Sequence, residues 1–430
     1  MQVRIIEGLL HPWEAKRAEE VLNACVHCGF CTATCPTYLQ AGNELDSPRG
    51  RIYLIKEMLE TGEATEVTRT HLDRCLTCLS CETTCPSGVE YHKLVAVGRT
   101  TSERLAPRTP LQKALRRVLR ILMVTPGLFR VLMAIGRPFG PLMPRALRRV
   151  YFPARRGQRA SPATDSLRRS VTTDPERGKV LLVRGCVQPT LRPESDAAFL
   201  RILNALGVPV EESAAASCCG AASYHTSGEE QARSLARRQV NHWWQRLSKE
   251  PIRAIVSTAS GCGVHLKDYA TVLADDPEYR HKAEQIAQLI RDPVEVLEQV
   301  FGDQSFQFPN RDISHEFVFH CPCTLQHGQG LTGRVERLLS RLGISLPEVE
   351  DAHLCCGSAG TYSVLQPSMS RALRAEKLEN LEASRPGTIL TANIGCQLHL
   401  QGGTEIPVRH WLEIVAELLE EGPRSGGIPD

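Results

Sequence analysis

"FHCPCTLQHG", residues 319–328, places two cysteines one residue apart. Such a pair can be two metal ligands, one ligand with a spectator, or two buried thiols. Self-similarity elsewhere in the chain decides between them. "KVLLVRGCVQPT" (179–190), "SCCGAASYH" (217–225) and "AIVSTASGCGVHL" (254–266) recur as "EFVFHCPCTLQHG" (316–328), "LCCGSAGTY" (354–362) and "TILTANIGCQLHL" (388–400). Cys186 precedes Cys218 by 32 positions and Cys323 precedes Cys355 by 32, whereas Cys321 precedes it by 34. Cys323 is therefore the repeat cysteine, and Cys321 is the extra one.

Each half then owns four equivalent cysteines and a histidine: Cys186, Cys218, Cys219, Cys262 and His265, against Cys323, Cys355, Cys356, Cys396 and His399. "KVLLV", "AIVST", "EFVF" and "TILTA" are short apolar, β-branched runs that read as buried parallel strands. "ESDAAFLRILNALG" and "GRVERLLSRLG" read as intervening helices, each ended by glycine. The pattern predicts two pseudo-symmetric α/β half-domains whose cysteines sit on loops at strand C-termini, where such folds gather ligands. Buried inert thiols are the plain alternative, but four matched positions in each half argue for metal or redox chemistry. An iron–sulfur cluster, zinc and redox-active thiols all remain open there. His225, His320 and His327 read as core or surface residues.

Working outward to the N-terminus, "CVHCGFCTATCP" and "CLTCLSCETTCP" repeat the spacing C-x2-C-x2-C-x3-C-P. Three thiolates on one tight loop can reach three irons of a cubane, while the fourth cysteine reaches the other cluster. The spacing predicts one [4Fe–4S] cluster on Cys25, Cys28, Cys31 and Cys85, and a second on Cys75, Cys78, Cys81 and Cys35. Structural zinc, which closes with two separated cysteine pairs, fits poorly. Between the runs, "SPRGRIYLIKEMLETGE" reads as a helix with Ile52, Ile55, Met58 and Leu59 on one face. "WEAKRAEEVLNAC" and "TRTHLDRC" lead helically into the two loops, which makes an all-helical ferredoxin domain. Arg49 and Arg51 suit either a contact to the clusters or a partner, or plain solvated surface.

Seventeen cysteines in 430 residues point to metal rather than disulfides when no secretory signal leads the chain. A reducing cytoplasm is the expected compartment. No apolar run approaches the roughly 18–20 residues of a spanning helix. Between Arg104 and Thr164 stand fourteen basic residues and no acid, which leaves 37 basic against 48 acidic residues elsewhere. There, Leu111, Leu115, Val118, Leu119 and Leu122 recur at helical spacing, with Lys113, Arg116, Arg117 and Arg120 on another face. That composition suits peripheral contact with an anionic membrane surface; packing on a cysteine-rich unit or a partner subunit is the competing expectation. The organisation expected is a helical ferredoxin domain (1–103), a basic amphipathic linker (104–178) and two cysteine-rich units (179–315 and 316–425). No nucleic-acid module is present to make use of the basic stretch.

Paired cubane runs ahead of two CCG units resemble the iron–sulfur subunits of membrane-linked flavin dehydrogenases and of heterodisulfide reductase. "ACVHCGFCTATCPTY", "DSPRGRIYLIK", "HLDRCLTC", "CETTCPSGV", "CPCTLQH", "HLCCGSAGTY" and "TANIGCQ" most resemble the glycolate oxidase (glycolate dehydrogenase) iron–sulfur subunit family, over nearly all of the chain except about 105–175. The resemblance implies a complex with FAD-containing subunits that oxidise glycolate to glyoxylate, electrons leaving through this chain towards a quinone-type acceptor. One departure stands out. Heterodisulfide reductase-type units end in Cys-x-x-Cys, whereas this chain has Cys262-x-x-His265 and Cys396-x-x-His399, a departure from the five-cysteine pattern of those units in each half. No dinucleotide fingerprint, Walker loop or His-Glu-x-x-His motif is found, as suits a one-electron wire that needs a two-electron partner and is inactive alone. A subunit serving glycerol 3-phosphate or lactate oxidation, or a thiol–disulfide enzyme, would show related motifs.

Overall fold

A computed structural model describes residues 2–144, 148, 150–151, 178–213, 218–302 and 316–421. The expected boundary at 315 and residues 152–177 of the linker lie outside the described residues. All seventeen cysteines lie within them.

The first hundred residues are helical. Pro12–Ala24, Pro48–Thr61, Glu66–Asp73 and Tyr91–Leu105 are the main helices. Pro48–Thr61 starts where Ser47 Oγ accepts the Gly50 N–H at 2.9 Å and stops at Gly62, whose φ of +70° only glycine adopts freely. Ile52, Ile55, Met58 and Leu59 are all buried, each contributing about 1.5–3 kcal/mol by removal from water. Gly98 lets the last helix approach closely, since a Cβ there would sit 2.7 Å from the Ile55 side chain.

The remainder is two parallel α/β units, as the alternating strand and helix patterns predict. β1 (Lys179–Leu182), β2 (Val210–Glu212), β3 (Ile252–Val256) and β4 (Ile290–Arg291) form a sheet of order β2-β1-β3-β4. β5 (Phe317–His320), β6 (Thr388–Thr391) and β7 (Val408–His410) form the second, in order β5-β6-β7. Every strand pairing is parallel. The predicted helices run Pro193–Ala205 and Arg334–Arg341, followed by left-handed Gly207 and Gly343.

One core joins the units: Val180, Phe199 and Leu297 of the first pack with Phe319, Leu390 and Trp411 of the second. Polar contacts cross the same seam. Ser260 N donates to Ala392 O at 3.1 Å, and Ser260 Oγ lies 2.8 Å from Thr324 Oγ1. His410 Nε2 meets Thr258 O at 2.9 Å, and Gln329 Nε2 donates to Asp292 Oδ2 at 3.3 Å.

The described part of the basic stretch includes the helices Pro110–Val124 and Pro126–Gly136. The first is bent by 98° from the continuation Pro126–Leu142. Among the described residues no single helix is long and apolar enough to cross a membrane. The basic side supplies part of the attachment: Arg116 joins Arg108 on Asp73, and Arg120 Nη1 donates to Thr226 O at 2.9 Å. The apolar side is left open, with Leu111 79%, Val131 55% and Leu142 83% exposed. Of the apolar positions that the helical spacing picks out, Leu111, Leu115 and Val118 are exposed and Leu119 and Leu122 half-buried, so this face packs within the chain only in part.

Candidate metal centres

The two N-terminal loops share one backbone. His27 and Gly29 in the first, and Thr77 and Leu79 in the second, all take positive φ, which turns each loop tightly round its cysteines. Cys25, Cys28, Cys31, Cys81 and Cys85 line a single recess with Ile52, Val89 and Tyr91. Burial and the nearby Cys85 push the Cys25 thiol up. Cys78 and Cys81 likewise feel Cys75 and Cys35 together. Cys85 of the second run thus lines the recess of the first loop, and Cys35 of the first run lies near Cys78 and Cys81 of the second; four thiols at each loop would suit a cubane.

A buried cationic frame surrounds the second set. Arg51 is 1% exposed rather than a solvated surface arginine. It donates to His71 O at 2.7 Å and Thr37 Oγ1 at 3.0 Å, pairs with Asp46, and brings Nη1 to 4.0 Å from Cys35 Sγ. Asp46 also holds His71 Nδ1 at 2.9 Å and Arg74 at 3.0 Å. Arg99 donates to Leu72 O and Thr77 Oγ1 beside Cys75. Burial opposes a thiolate at Cys75, but the charges of Arg51 and Arg99 outweigh it and lower the pKa, which prepares the group to ligate. Arg49 stays at the surface on Glu44, with its guanidinium against Gly29.

In the first cysteine-rich unit the thiols form a chain of neighbours, Cys186 to Cys218 to Cys219 to Cys262. Hydrogen bonds from Cys186 and Cys219 and from the Gly220 N–H at 3.4 Å pull the Cys218 thiol down. Gln239 and Tyr269 tie the loop by donating to Cys218 O at 2.7 Å and Cys219 O at 2.8 Å. His265 is buried beside Cys218, and its Nε2 lacks a hydrogen-bond partner among the described residues. Tyr224, His225 and Tyr269 surround its ring.

The second unit repeats the thiol chain, with Cys323 Sγ 3.7 Å from Cys355 Sγ, then Cys356 and Cys396. Asn393 Nδ2 approaches Cys396 Sγ at 3.5 Å. Cys323 and Cys355 pack with Leu76 and Cys78 of the second ferredoxin loop. Cys321 instead enters the shared apolar core beside Leu325 and Val335, as the 32-residue spacing implies.

The histidine does not follow the repeat. His399 Nε2 lies 3.3 Å from both Ser370 Oγ and Ser370 O. His320, which read as an ordinary core histidine, has its ring nitrogen within 4.8 Å of the Cys356 and Cys396 sulfurs. Lys377, 3% exposed, donates to Asp351 O at 2.5 Å and feels both Cys356 and Cys355. Aligning the halves offers a signal for His320, which stands where the first unit has Val183.

These four thiol sets define an iron–sulfur protein built from a two-cluster ferredoxin domain and twin cysteine-rich domains. A 4Fe-4S dicluster domain model matches residues 21–89, and a cysteine-rich domain model matches 180–267 and 317–401. The chain is 44% identical to the glycolate oxidase iron-sulfur subunit of Escherichia coli (strain K12), over 98% of this chain and 100% of that one. It belongs to the glycolate oxidase iron–sulfur subunit family, and its role is iron–sulfur electron transfer in an oxidoreductase. A probable glycolate oxidase iron-sulfur subunit of Bacillus subtilis (strain 168) is 29% identical, over 90% of this chain and 89% of that one. Lactate utilization protein A of an Exiguobacterium species is 29% identical over 57% of this chain and 98% of its own length. A solved hypothetical protein from Helicobacter pylori shares the fold alone, at TM-score 0.52 and 10% identity over 97% of this chain and 74% of that one.

Proposed function

We propose that the chain is the electron-transfer subunit of a flavin-dependent glycolate dehydrogenase. Oxidation of glycolate to glyoxylate releases two electrons and two protons, which FAD-containing partner subunits accept; this chain carries the electrons singly towards a quinone-type acceptor. Cys25, Cys28, Cys31 and Cys85 hold one [4Fe–4S] cluster, and Cys75, Cys78, Cys81 and Cys35 hold the other. When bound, the clusters supply one-electron relays. Arg51 and Arg99 offset the negative charge of the thiolate set beside them, and Ile52, Val89 and Tyr91 line the first recess. The cysteine-rich units hold a further iron–sulfur cluster or zinc. The packing of Cys323 and Cys355 against Cys78 carries this reading, because it makes the second unit continuous with the second cubane set.

The exposed apolar face of Pro110–Val124 and Pro126–Gly136, flanked by basic side chains, supports peripheral contact with the inner face of the cytoplasmic membrane. The test is copurification with flavoprotein partners, followed by dye reduction with glycolate, lactate and glycerol 3-phosphate. We expect glycolate-dependent reduction by the complex and none by the flavin-free, partner-free chain. Activity of the chain alone, or a preference for another substrate, overturns the proposal.

A further inference from the structure

We infer that His320 is a metal ligand of the second cysteine-rich unit, joining Cys356 and Cys396 through its imidazole nitrogen. The inference rests on the reading of that unit as a metal centre. His320 ends β5, and one of its two ring nitrogens lies within 4.8 Å of the two sulfurs, which are themselves that close to each other. The residue is 2% exposed, and its Nε2 has no hydrogen-bond partner among the described residues. A buried polar nitrogen left unpaired is costly, and a metal would satisfy it.

The pseudo-symmetric position supports the assignment. Counting back three residues from Cys323 gives His320, and three back from Cys186 gives Val183. Val183 is 1% exposed and packs with Cys219 in an apolar cluster. The same strand end therefore offers a nitrogen donor in one unit and a methyl surface in the other. His399 is not placed to substitute, because Ser370 occupies its Nε2. A mixed imidazole–thiolate set selects a borderline or soft transition metal, either zinc or an iron of an iron–sulfur cluster. In the iron case, imidazole in place of thiolate raises the reduction potential.

The test uses the full chain purified anaerobically with its partner subunits, in wild-type, His320→Phe, His320→Cys and His399→Gln forms. Iron and zinc counts distinguish the two metals. Zinc-edge X-ray absorption, or 15N-histidine hyperfine coupling for iron, reads the donor. We expect wild type to carry metal beyond the iron of two cubanes and to show imidazole nitrogen on it. His320→Phe should lose that metal, His320→Cys should keep it with nitrogen replaced by sulfur, and His399→Gln should keep both metal and nitrogen. His320→Cys with an unchanged nitrogen signal overturns the assignment even if His320→Phe misfolds. Wild type without metal beyond the cubanes overturns both the assignment and the reading of the unit as a metal centre.

Discussion

The two cysteine-rich units place the same four thiols on the same strands and loops, yet they surround them differently. Where the first unit has Val183, the second has His320; where the first has neutral Gln239 tied to Cys218 O, the second has buried Lys377 beside Cys355 and Cys356. The neighbours differ as well. Cys323 and Cys355 pack against the second ferredoxin loop, while the basic helix reaches the first unit through Arg120 and Thr226. The duplicated fold thus repeats the four thiol positions, and a few unmatched side chains give each set different neighbours.

The strongest way to break this comparison is to remove one matched thiol from each unit. If contact with Cys78 decides the electron route, Cys323→Ser should abolish glycolate-dependent dye reduction by the assembled complex, and Cys186→Ser should leave measurable turnover. Metal counts on the same samples should fall in both variants. Equal losses of turnover would mean that the two units serve the route alike.

A second contrast lies at the strand–helix junctions, where Asp292 follows β4 and His410 ends β7, each reaching across the seam. Burial pushes the Asp292 carboxyl up to about 7 and pulls the His410 imidazole down to about 4. The signs oppose. Folded Asp292 keeps a proton that the unfolded chain releases near pH 4, so its contribution falls as pH rises from about 4 to 7. Folded His410 refuses a proton that the unfolded chain takes up below about 6.5, so its contribution falls as pH drops from 6.5 towards 4. Each shift is worth on the order of 3–5 kcal/mol at most, and over the shared window they largely cancel. Thermal unfolding between pH 5 and 7 should therefore show Asp292→Asn gaining stability relative to wild type as pH rises, and His410→Gln gaining as pH falls. Parallel profiles for all three proteins would dismiss the contrast.

A smaller effect separates Cys321 from Cys323. Cys321→Ser should keep the full metal content and cost roughly 1–3 kcal/mol, the penalty of a hydroxyl in an apolar core. Metal loss equal to that of Cys323→Ser would reverse the repeat-based choice.

Much of this was legible in the sequence because cysteine spacing is a local record of loop geometry. Two copies of one spacing assign the ferredoxin sets, and the 32-residue interval separates Cys323 from Cys321 before any coordinates are needed. The strands showed as β-branched runs for the same local reason. What escaped depends on contacts between distant segments. Arg51 lies on a helix whose apolar face is readable, but its burial requires Asp46, His71 and Thr37 to converge on it. His320 looks like a core histidine until β5 and the Cys356 and Cys396 loops are brought together, and His399 looks like a ligand until Ser370 is placed beside it. The open apolar side of the basic helices was equally hidden, since periodicity reports a face and not what covers it.

That open side gives the last contrast its smallest expected effect per residue. The helix that carries it sits against the first unit through Arg120, whereas the second unit meets the ferredoxin loop, so membrane contact would act from the first unit's side. Lys113, Arg117, Arg130 and Arg137 are exposed, whereas Arg116 is held by Asp73 and would report on folding instead. Each exposed basic side chain near anionic headgroups contributes ~1 kcal/mol, and the attraction fades within a Debye length. Changing the four to Gln should weaken binding of the assembled complex to phosphatidylserine-containing liposomes by a few kcal/mol at most. Leu111→Asp with Val131→Asp should weaken it on neutral vesicles as well, because those side chains act by burial rather than charge. Flotation at low and physiological salt reads both. A complex that fails to float, or that floats equally well in every variant, would assign the open face to a partner subunit and remove the membrane from the first unit's side.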